Sequence, residues 1–269
     1  VAPAPGHRAD GWQDDLALIA EAARAAGEVA LEHFGRDPEV WWKNEGRSPV
    51  SAADYAANRL LSERLLTARP HYGWLSEETD DDAARLGRET LFVIDPIDGT
   101  RAFLNGLQTW CVSVAVVHQG RPVAAALVAP ALQETYLATV DGPATLNGAE
   151  IRVTEPQTGD SLKVAAPPEL LKAFPEDLRD RLVRVPHIPS LAYRLALVAA
   201  GRIDATFVLK NAHDWDLAAA DLILERAGGA LVDGAGDLLS YNRPDVRHGH
   251  LLAGASPLLP LLVSSFKLT

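Results

Sequence analysis

Along residues 16–34 the apolar positions Leu16, Ile19, Ala23, Ala26, Ala30 and Phe34 recur every three or four residues, while Glu21, Arg24, Glu28 and Glu32 fill the rest of the wheel. That spacing predicts an amphipathic helix with one buried stripe. A polar loop is expected at 43–49. Ser51-Ala52-Ala53-Asp54 then opens a second helix, ended near residue 67 by Arg69-Pro70, because a residue before proline is pushed out of the helical region. The period now changes. Short apolar runs at 73–76 and 91–94 read as strands, residues 112–117 and 122–128 as a hairpin turning at 118–121, and residues 136–140 with the turns of 141–148 as a further pair. After Pro156 short strands alternate with helices. Strands are expected at 162–166 and 204–209, and helices at 176–182, 190–200 and 215–227, the last closed by Gly228-Gly229. Two lobes divided near residue 155 follow, 12–155 and 156–269, packed directly together because no repeat, low-complexity tract or Gly/Ser tether separates them. Periodicity and composition thus predict mixed α and β structure in two lobes and nothing finer.

Composition narrows the partners. The 269 residues are 48% hydrophobic and 23% charged, enough for a sizeable core. With 25 Lys+Arg against 36 Asp+Glu the net charge is -11, a field that repels polyanions, so a nucleic-acid polymer is not an expected partner. An anionic substrate would need a local reversal of sign, which bound cations supply best. The single cysteine, Cys111, cannot form an intramolecular disulfide; this fits a reducing compartment, and a cytoplasmic location is the expectation. No long uncharged run suits a bilayer, and the N-terminal stretch VAPAPGHRADG lacks the basic and apolar regions of a signal peptide, so it reads as a frayed arm.

Candidate chemistry begins at Phe92-Val93-Ile94-Asp95-Pro96-Ile97-Asp98-Gly99-Thr100. An apolar strand runs into two carboxylates three residues apart. Pro96 biases Asp95 to an extended conformation and is expected to end the strand there, with Asp98-Gly99-Thr100 leading into a helix whose first N–H groups suit a phosphate. The carbonyl of Ile97 is a further oxygen ligand. Each buried carboxylate costs several kcal/mol unless paired, and a hard divalent ion such as Mg²⁺ resolves the repulsion. Asp98 as a helix cap and Asp95 as a turn acid is the plainer alternative. Glu77, after the strand at 73–76, and Asp216, in the first turn of the helix after His213-Asp214-Trp215, are further acids that could join them; a solvated charge run and a dipole-matched first turn account for each equally well in isolation.

Together, Glu77-Glu78, Asp95-Pro96-Ile97-Asp98-Gly99-Thr100, Trp215-Asp216 before an alanine-rich helix, and Gly228-Gly229 closely resemble the inositol monophosphatase superfamily of metal-dependent, lithium-sensitive phosphomonoesterases. Lys43, Ser48-Pro49-Val50, Asp54 and Leu146-Asn147-Gly148 extend the likeness over nearly the whole chain. The resemblance implies a layered αβαβα sandwich, with a mainly antiparallel sheet in the first lobe and a smaller mixed sheet in the second. It implies two or three Mg²⁺ ions per site: Asp95 bridging, Glu77 and the Ile97 carbonyl on one ion, Asp98 and Asp216 on another. Thr100 and Asp54 would orient and deprotonate the attacking water, although Ser51-x-x-Asp54 is also a capping box. Gly99 and Thr100 N–H groups would hold phosphate oxygens. Lys43 is either a solvated loop lysine or an electrostatic aid to the metals.

Substrate choice is less legible. Arg101, the stretch Ser190-Leu191-Ala192-Tyr193-Arg194, and Lys210-Asn211 resemble bacterial nucleotide-phosphatase members more than the animal inositol enzymes. Lys210 could pair with a second phosphate or simply end a strand. The expected substrate is a small phosphorylated metabolite: inositol 1-phosphate, alternatively 3′-phosphoadenosine 5′-phosphate, then histidinol phosphate. A homodimer is expected from relatives. A noncatalytic ion-binding module would need no water-orienting pair, and intact Thr100 and Asp54 speak against it.

Overall fold

The computed structural model describes residues 11–36, 40–43, 48–157, 159–172 and 174–265. The expected N-terminal arm at residues 1–10 and residues 44–47 of the expected polar stretch lie outside the described residues, as do the side chains of residues 42, 43, 48 and 49, Lys43 among them.

Five layers stack as α, β, α, β, α. The outermost pair is α1 (Gln13–His33) and α2 (Ala52–Ala68), joined by a hairpin of β1 (Val40–Lys43) and β2 (Ser48–Ser51). They cover one face of a seven-stranded sheet of β3 (Gly73–Ser76), β4 (Thr90–Asp98), β5 (Cys111–His118), β6 (Arg121–Ala129), β7 (Glu134–Thr139), β8 (Thr145–Leu146) and β9 (Ala149–Glu150), paired in that order. β3 and β4 are parallel and the rest antiparallel. A short helix, α3 (Thr100–Leu104), leaves the end of β4. The second sheet has five strands, β10 (Leu162–Ala165), β11 (Leu182–Arg184), β12 (Ala205–Val208), β13 (Gly229–Asp233) and β14 (Leu251–Ala255), in the mixed order β11-β10-β12-β14-β13. Its outer face carries α4 (Pro168–Leu171), α5 (Glu176–Arg179) and α8 (Leu259–Ser265); between the sheets lie α6 (Leu191–Ala199) and α7 (Asp214–Arg226).

The strands explain why the apolar runs were continuous rather than alternating. The central strands β4, β5 and β6 are buried on both faces, and their odd and even residues serve different cores. Phe92, Ile94, Val112, Val114 and Val116 pack under α1 and α2, whereas Leu91, Val93, Cys111, Ala115 and Val117 face α6 and α7. The same split divides β10, β12 and β14: Val164, Phe207 and Leu252 meet the outer helices, Ala165, Val208 and Ala253 the inner ones. Full burial of each large apolar side chain contributes roughly 1.5–3 kcal/mol, so the middle helices are held from both sides. Alanines 218–220 of α7 are buried and let its backbone approach the sheets closely.

Several expectations need correction. Pro96 does not end its strand: β4 continues to Asp98 through a register shift between Asp95 and Asp98. A bulge absorbs the missing N–H, which is where a sheet tolerates proline. The polar stretch at 43–49 is flanked by paired strands, and the helix expected over 176–182 stops at Arg179, its last residue instead starting β11 alongside β10. β13, β14 and α8 went unread, being short apolar runs of ambiguous period. Among the described residues, no helix is long and apolar enough to cross a membrane.

Candidate active site

At the C-terminal end of β4 the chain places both acids on backbone paired with β5, Asp95 opposite Ser113 and Asp98 opposite Cys111, and this fixes their separation. Asp95 is buried and takes Ile97 N–H on Oδ1 (3.1 Å). Asp98, also buried, turns toward the middle layer, where Ser190 Oγ (2.5 Å) and Ala192 N (2.6 Å) donate to its Oδ2. Gly99 is needed between strand and α3: its φ is +93°, and a Cβ there would stand 2.9 Å from Ser190 Cβ. The α6 start therefore packs directly on the Asp98-Gly99 corner.

Asp216 arrives from the other side. It is the N3 residue of α7, and His213 N donates to its Oδ2 (2.6 Å), closing a capping box that holds the carboxylate at the helix start. His213 stacks on Trp215 with centroids 4.6 Å apart, and the Trp215 carbonyl accepts from Ser113 Oγ (3.4 Å), tying the turn to β5. One oxygen from each of Asp95, Asp98 and Asp216 lies within 4.8 Å of the others. Glu77 follows β3, its N–H bonded to Ile94 O (3.2 Å), and lines the same cleft of about 360 Å³ with Ile97, Gly99, Thr100, Arg101 and His187.

Asp54 and Thr100 meet beside this cluster. Asp54 Oδ2 accepts from Ser51 N (2.8 Å) and Ser51 Oγ (2.6 Å), and Oδ1 from Thr100 Oγ1 (3.3 Å); the threonine hydroxyl also lies 3.1 Å from Ile97 O. The capping role and the threonine contact coexist because they use different oxygens.

The electrostatics of the cluster are dominated by burial and like charge. Burial pushes Asp95 well above the ordinary carboxylate range, with Glu77, Asp98 and Asp216 adding repulsion. Burial, then Asp216, brings Asp98 to about 6, and burial brings Asp54 to about 6 despite the Ser51 hydrogen bonds. Among the described residues no lysine or arginine pairs with Asp95, Asp98 or Asp216. An all-oxygen donor set with excess negative charge fits a hard divalent cation.

Lys210 and Asn211 are exposed residues of the turn before α7, and among the described residues neither lines the cleft. Arg101 does. Sequence reading missed Ser190 as the partner of Asp98; its one signal was a serine at a helix N-cap, which also donates no information about a residue 92 positions away. His187 on the cleft wall carried no signal at all.

An acid-lined cleft at the end of β4, closed by the start of a middle-layer helix in an αβαβα stack, defines an ion-assembling hydrolase class. The chain belongs to the inositol monophosphatase family, matching its sequence pattern over residues 12–267, and is therefore a phosphoric monoester hydrolase of a metal-dependent family. It is 34% identical to an inositol-1-monophosphatase of Rhizobium meliloti over 82% of this chain and 86% of that one. A histidinol-phosphatase of Chlorobaculum parvum is 32% identical, covering 81% and 85% respectively. Among solved structures, the extragenic suppressor protein suhB of Bartonella henselae superimposes with a TM-score of 0.81 at 26% identity, over 94% of this chain and 98% of that one.

Proposed function

We propose that the chain hydrolyses a small phosphate monoester such as inositol 1-phosphate with Mg²⁺ as cofactor. The observation that carries this is the convergence of Asp95, Asp98 and Asp216 within 4.8 Å beside the Asp54–Thr100 contact. Asp95, Asp98, Asp216, Glu77 and the Ile97 carbonyl would hold the ions. Bound divalent ions supply Lewis-acid polarisation of the phosphoryl oxygens and lower the pKa of water. The chain does the rest. Thr100 Oγ1, oriented by Asp54, directs the attacking water and relays its proton to the Asp54 carboxylate, whose second oxygen is steadied by Ser51; as the water oxygen bonds to phosphorus the ester P–O bond breaks, and the departing alkoxide takes a proton from solvent. Gly99 and Thr100 N–H groups hold the phosphate oxygens. Arg101 screens negative charge at the mouth.

In this reading residues 12–155 form the lobe with most of the acids, and 156–269 the lobe that supplies Asp216 and substrate contacts. Inhibition by lithium, a homodimer and a cytoplasmic location belong to the same proposal. A second substrate reading has support: Arg101, a cation, and His187, a hydrogen-bonding ring, line one cleft, which suits a further anionic group and favours 3′-phosphoadenosine 5′-phosphate. Histidinol phosphate follows from the Chlorobaculum parvum relative.

Turnover efficiency on inositol 1-phosphate, the adenosine bisphosphate and histidinol phosphate at fixed Mg²⁺ tests it. The monoester reading expects inositol 1-phosphate to lead; no Mg²⁺-dependent phosphate release from any of them would overturn it.

A further inference from the structure

The acids of the cleft come from separate pieces of chain, and an ion site tolerates errors of only about 0.5 Å in its donors. Asp95 and Asp98 are held by their sheet. Glu77 sits on the loop after β3 and Asp216 in the first turn of α7, and neither element pairs with the other. The segment 241–248, between β13 and β14, touches both.

On the α7 side it runs antiparallel to residues 211–214. Asn211 N donates to His248 O (2.8 Å), His248 N to Ala212 O (2.8 Å) and Asp214 N to Val246 O (3.0 Å), with His213 and Arg247 facing each other as a bridge. Side chains reinforce the seam. Asp214 is wholly buried and accepts from Asn242 N (2.9 Å) and His248 Nε2 (2.7 Å). With Asp214 ionised, Nε2 carries the imidazole proton and Nδ1 is left to accept from Arg243 Nη2 (3.4 Å). Asp214 is two residues from Asp216, in the same turn.

On the Glu77 side the link is Arg85. It is 3% exposed, grips both oxygens of Asp81 (2.6 and 2.8 Å), and reaches the segment through Asn242 Oδ1 (2.8 Å) and Arg243 O (3.1 Å). Asn242 returns a hydrogen bond to Arg85 O (3.4 Å). Asp81 is four residues past Glu77, on the loop whose other end is pinned by Ser76 Oγ, bonded to Asn58 Oδ1 (2.7 Å) and accepting from Glu78 N (3.3 Å). The brace itself is anchored at its base: Tyr241 N donates to Gly120 O (3.0 Å) and Tyr241 OH to Asp221 Oδ2 (2.8 Å).

Buried polar networks of this sort are weak contributors to stability compared with apolar packing, and what they give is a defined geometry. We propose that residues 241–248 form a brace that sets Glu77 and Asp216 at the right distance from Asp95 and Asp98, with Arg85 and His248 as positioning residues for the ion site. The proposal rests on the ion-dependent reading above.

Calorimetric titration of Mn²⁺ alone into the full chain tests it, without reference to turnover. His248→Leu and Arg85→Met should each weaken Mn²⁺ binding by about 10–100-fold, the range for outer partners of ligands. His248→Gln, which can still donate to Asp214, should recover most of the affinity. Arg202→Met, which removes an ion pair to Glu134 (2.6 Å) between residues outside the brace, is the control for general destabilisation: a lower melting temperature with unchanged affinity. If Arg85→Met does not fold, Arg85→Lys and the two His248 variants decide. Unchanged Mn²⁺ affinity in folded brace variants, or a loss of affinity in Arg202→Met matching theirs, overturns the brace. A wild-type chain that binds no divalent ion overturns the ion-dependent reading, and the brace with it.

Discussion

Asp98 and Glu134 both reach from the seven-stranded sheet to α6, and they are treated in opposite ways. Glu134 is fully provided for: Tyr136 OH (2.8 Å) and Tyr193 OH (3.0 Å) donate to Oε2, and Arg202 pairs with Oε1. Burial first, then the neighbouring carboxylate, raises both tyrosines, so they remain donors at any physiological pH. Asp98 also has donors, in Ser190 and Ala192, but it stands with Asp95 and Asp216 in a group of like charges that no lysine or arginine among the described residues joins in an ion pair, with only His213 Nδ1 near, 3.7 Å from Asp216. The difference teaches how to tell a structural acid from a functional one. A carboxylate whose charge is matched by the chain holds the fold together. A cluster whose charge is left in excess is stable only when something outside the chain completes it.

The largest test of that contrast is Asp95→Asn. Outer partners of metal ligands already cost 10–100-fold, so a residue proposed as a ligand itself should cost more: Mg²⁺-dependent phosphate release is expected to fall by more than about 100-fold. The melting temperature without added ions should hold or rise, since one of the repelling acids is gone. Wild-type turnover in this variant would remove the cluster from the chemistry.

Next in size is Thr100→Val. It keeps the shape and deletes the hydroxyl that touches Asp54, so kcat should drop by about 10²-fold, within the range for positioned proton transfer, while Thr100→Ser keeps most of it. Equal rates in the two variants would dissociate the Asp54–Thr100 contact from the reaction.

Glu134→Gln sharpens the other half of the comparison. It should leave kcat/KM unchanged and cost about 1–2 kcal/mol of stability, read as a lower midpoint in urea, because a charge-assisted network becomes a neutral one. An activity loss without a stability loss would reverse the roles assigned to the two acids.

The smallest effect is expected at Asp221, a buried acid of α7 on the far side of the cluster, brought to about 7 by burial despite its bond from Tyr241. A carboxyl raised in the folded state binds its proton more tightly there than in the unfolded chain. Its contribution to stability is therefore lost as pH rises from the unfolded value near 4 through 7. Wild-type melting temperature should fall more between pH 5 and 8 than that of Asp221→Asn; parallel curves would show that Asp221 does not titrate in that window.

Legibility along the chain followed the range of the interactions. Helices α1 and α2 were readable because their signals, the stripe from Leu16 to Phe34 and the Ser51-x-x-Asp54 cap, lie within a turn or two of each other. The doubly buried β5 and β6 were readable as apolar runs. The extension of β4 past Pro96 was not, since a bulge is set by the partner strand β5 and proline argues locally for a stop. Of β11 only Leu182 falls inside the helix expected over 176–182 and the rest goes unread, because the strand's support is the parallel neighbour β10, twenty residues earlier.

For the site, the residues and their spacing determined which side chains could do the chemistry: two acids flanking Pro-Ile, a glycine able to take positive φ, an acid one residue beyond a tryptophan at a helix start. These are local choices of side chain and backbone, written in order along the chain. Only the tertiary structure decided that Asp216 comes within 4.8 Å of Asp95 and Asp98, that Ser190 holds Asp98 across 92 positions, and that Arg85 meets Asn242 and His248 meets Asp214. Such proximities arise from burying α6 and α7 between two sheets. That packing is a collective property of many apolar side chains, and no short stretch of sequence encodes it.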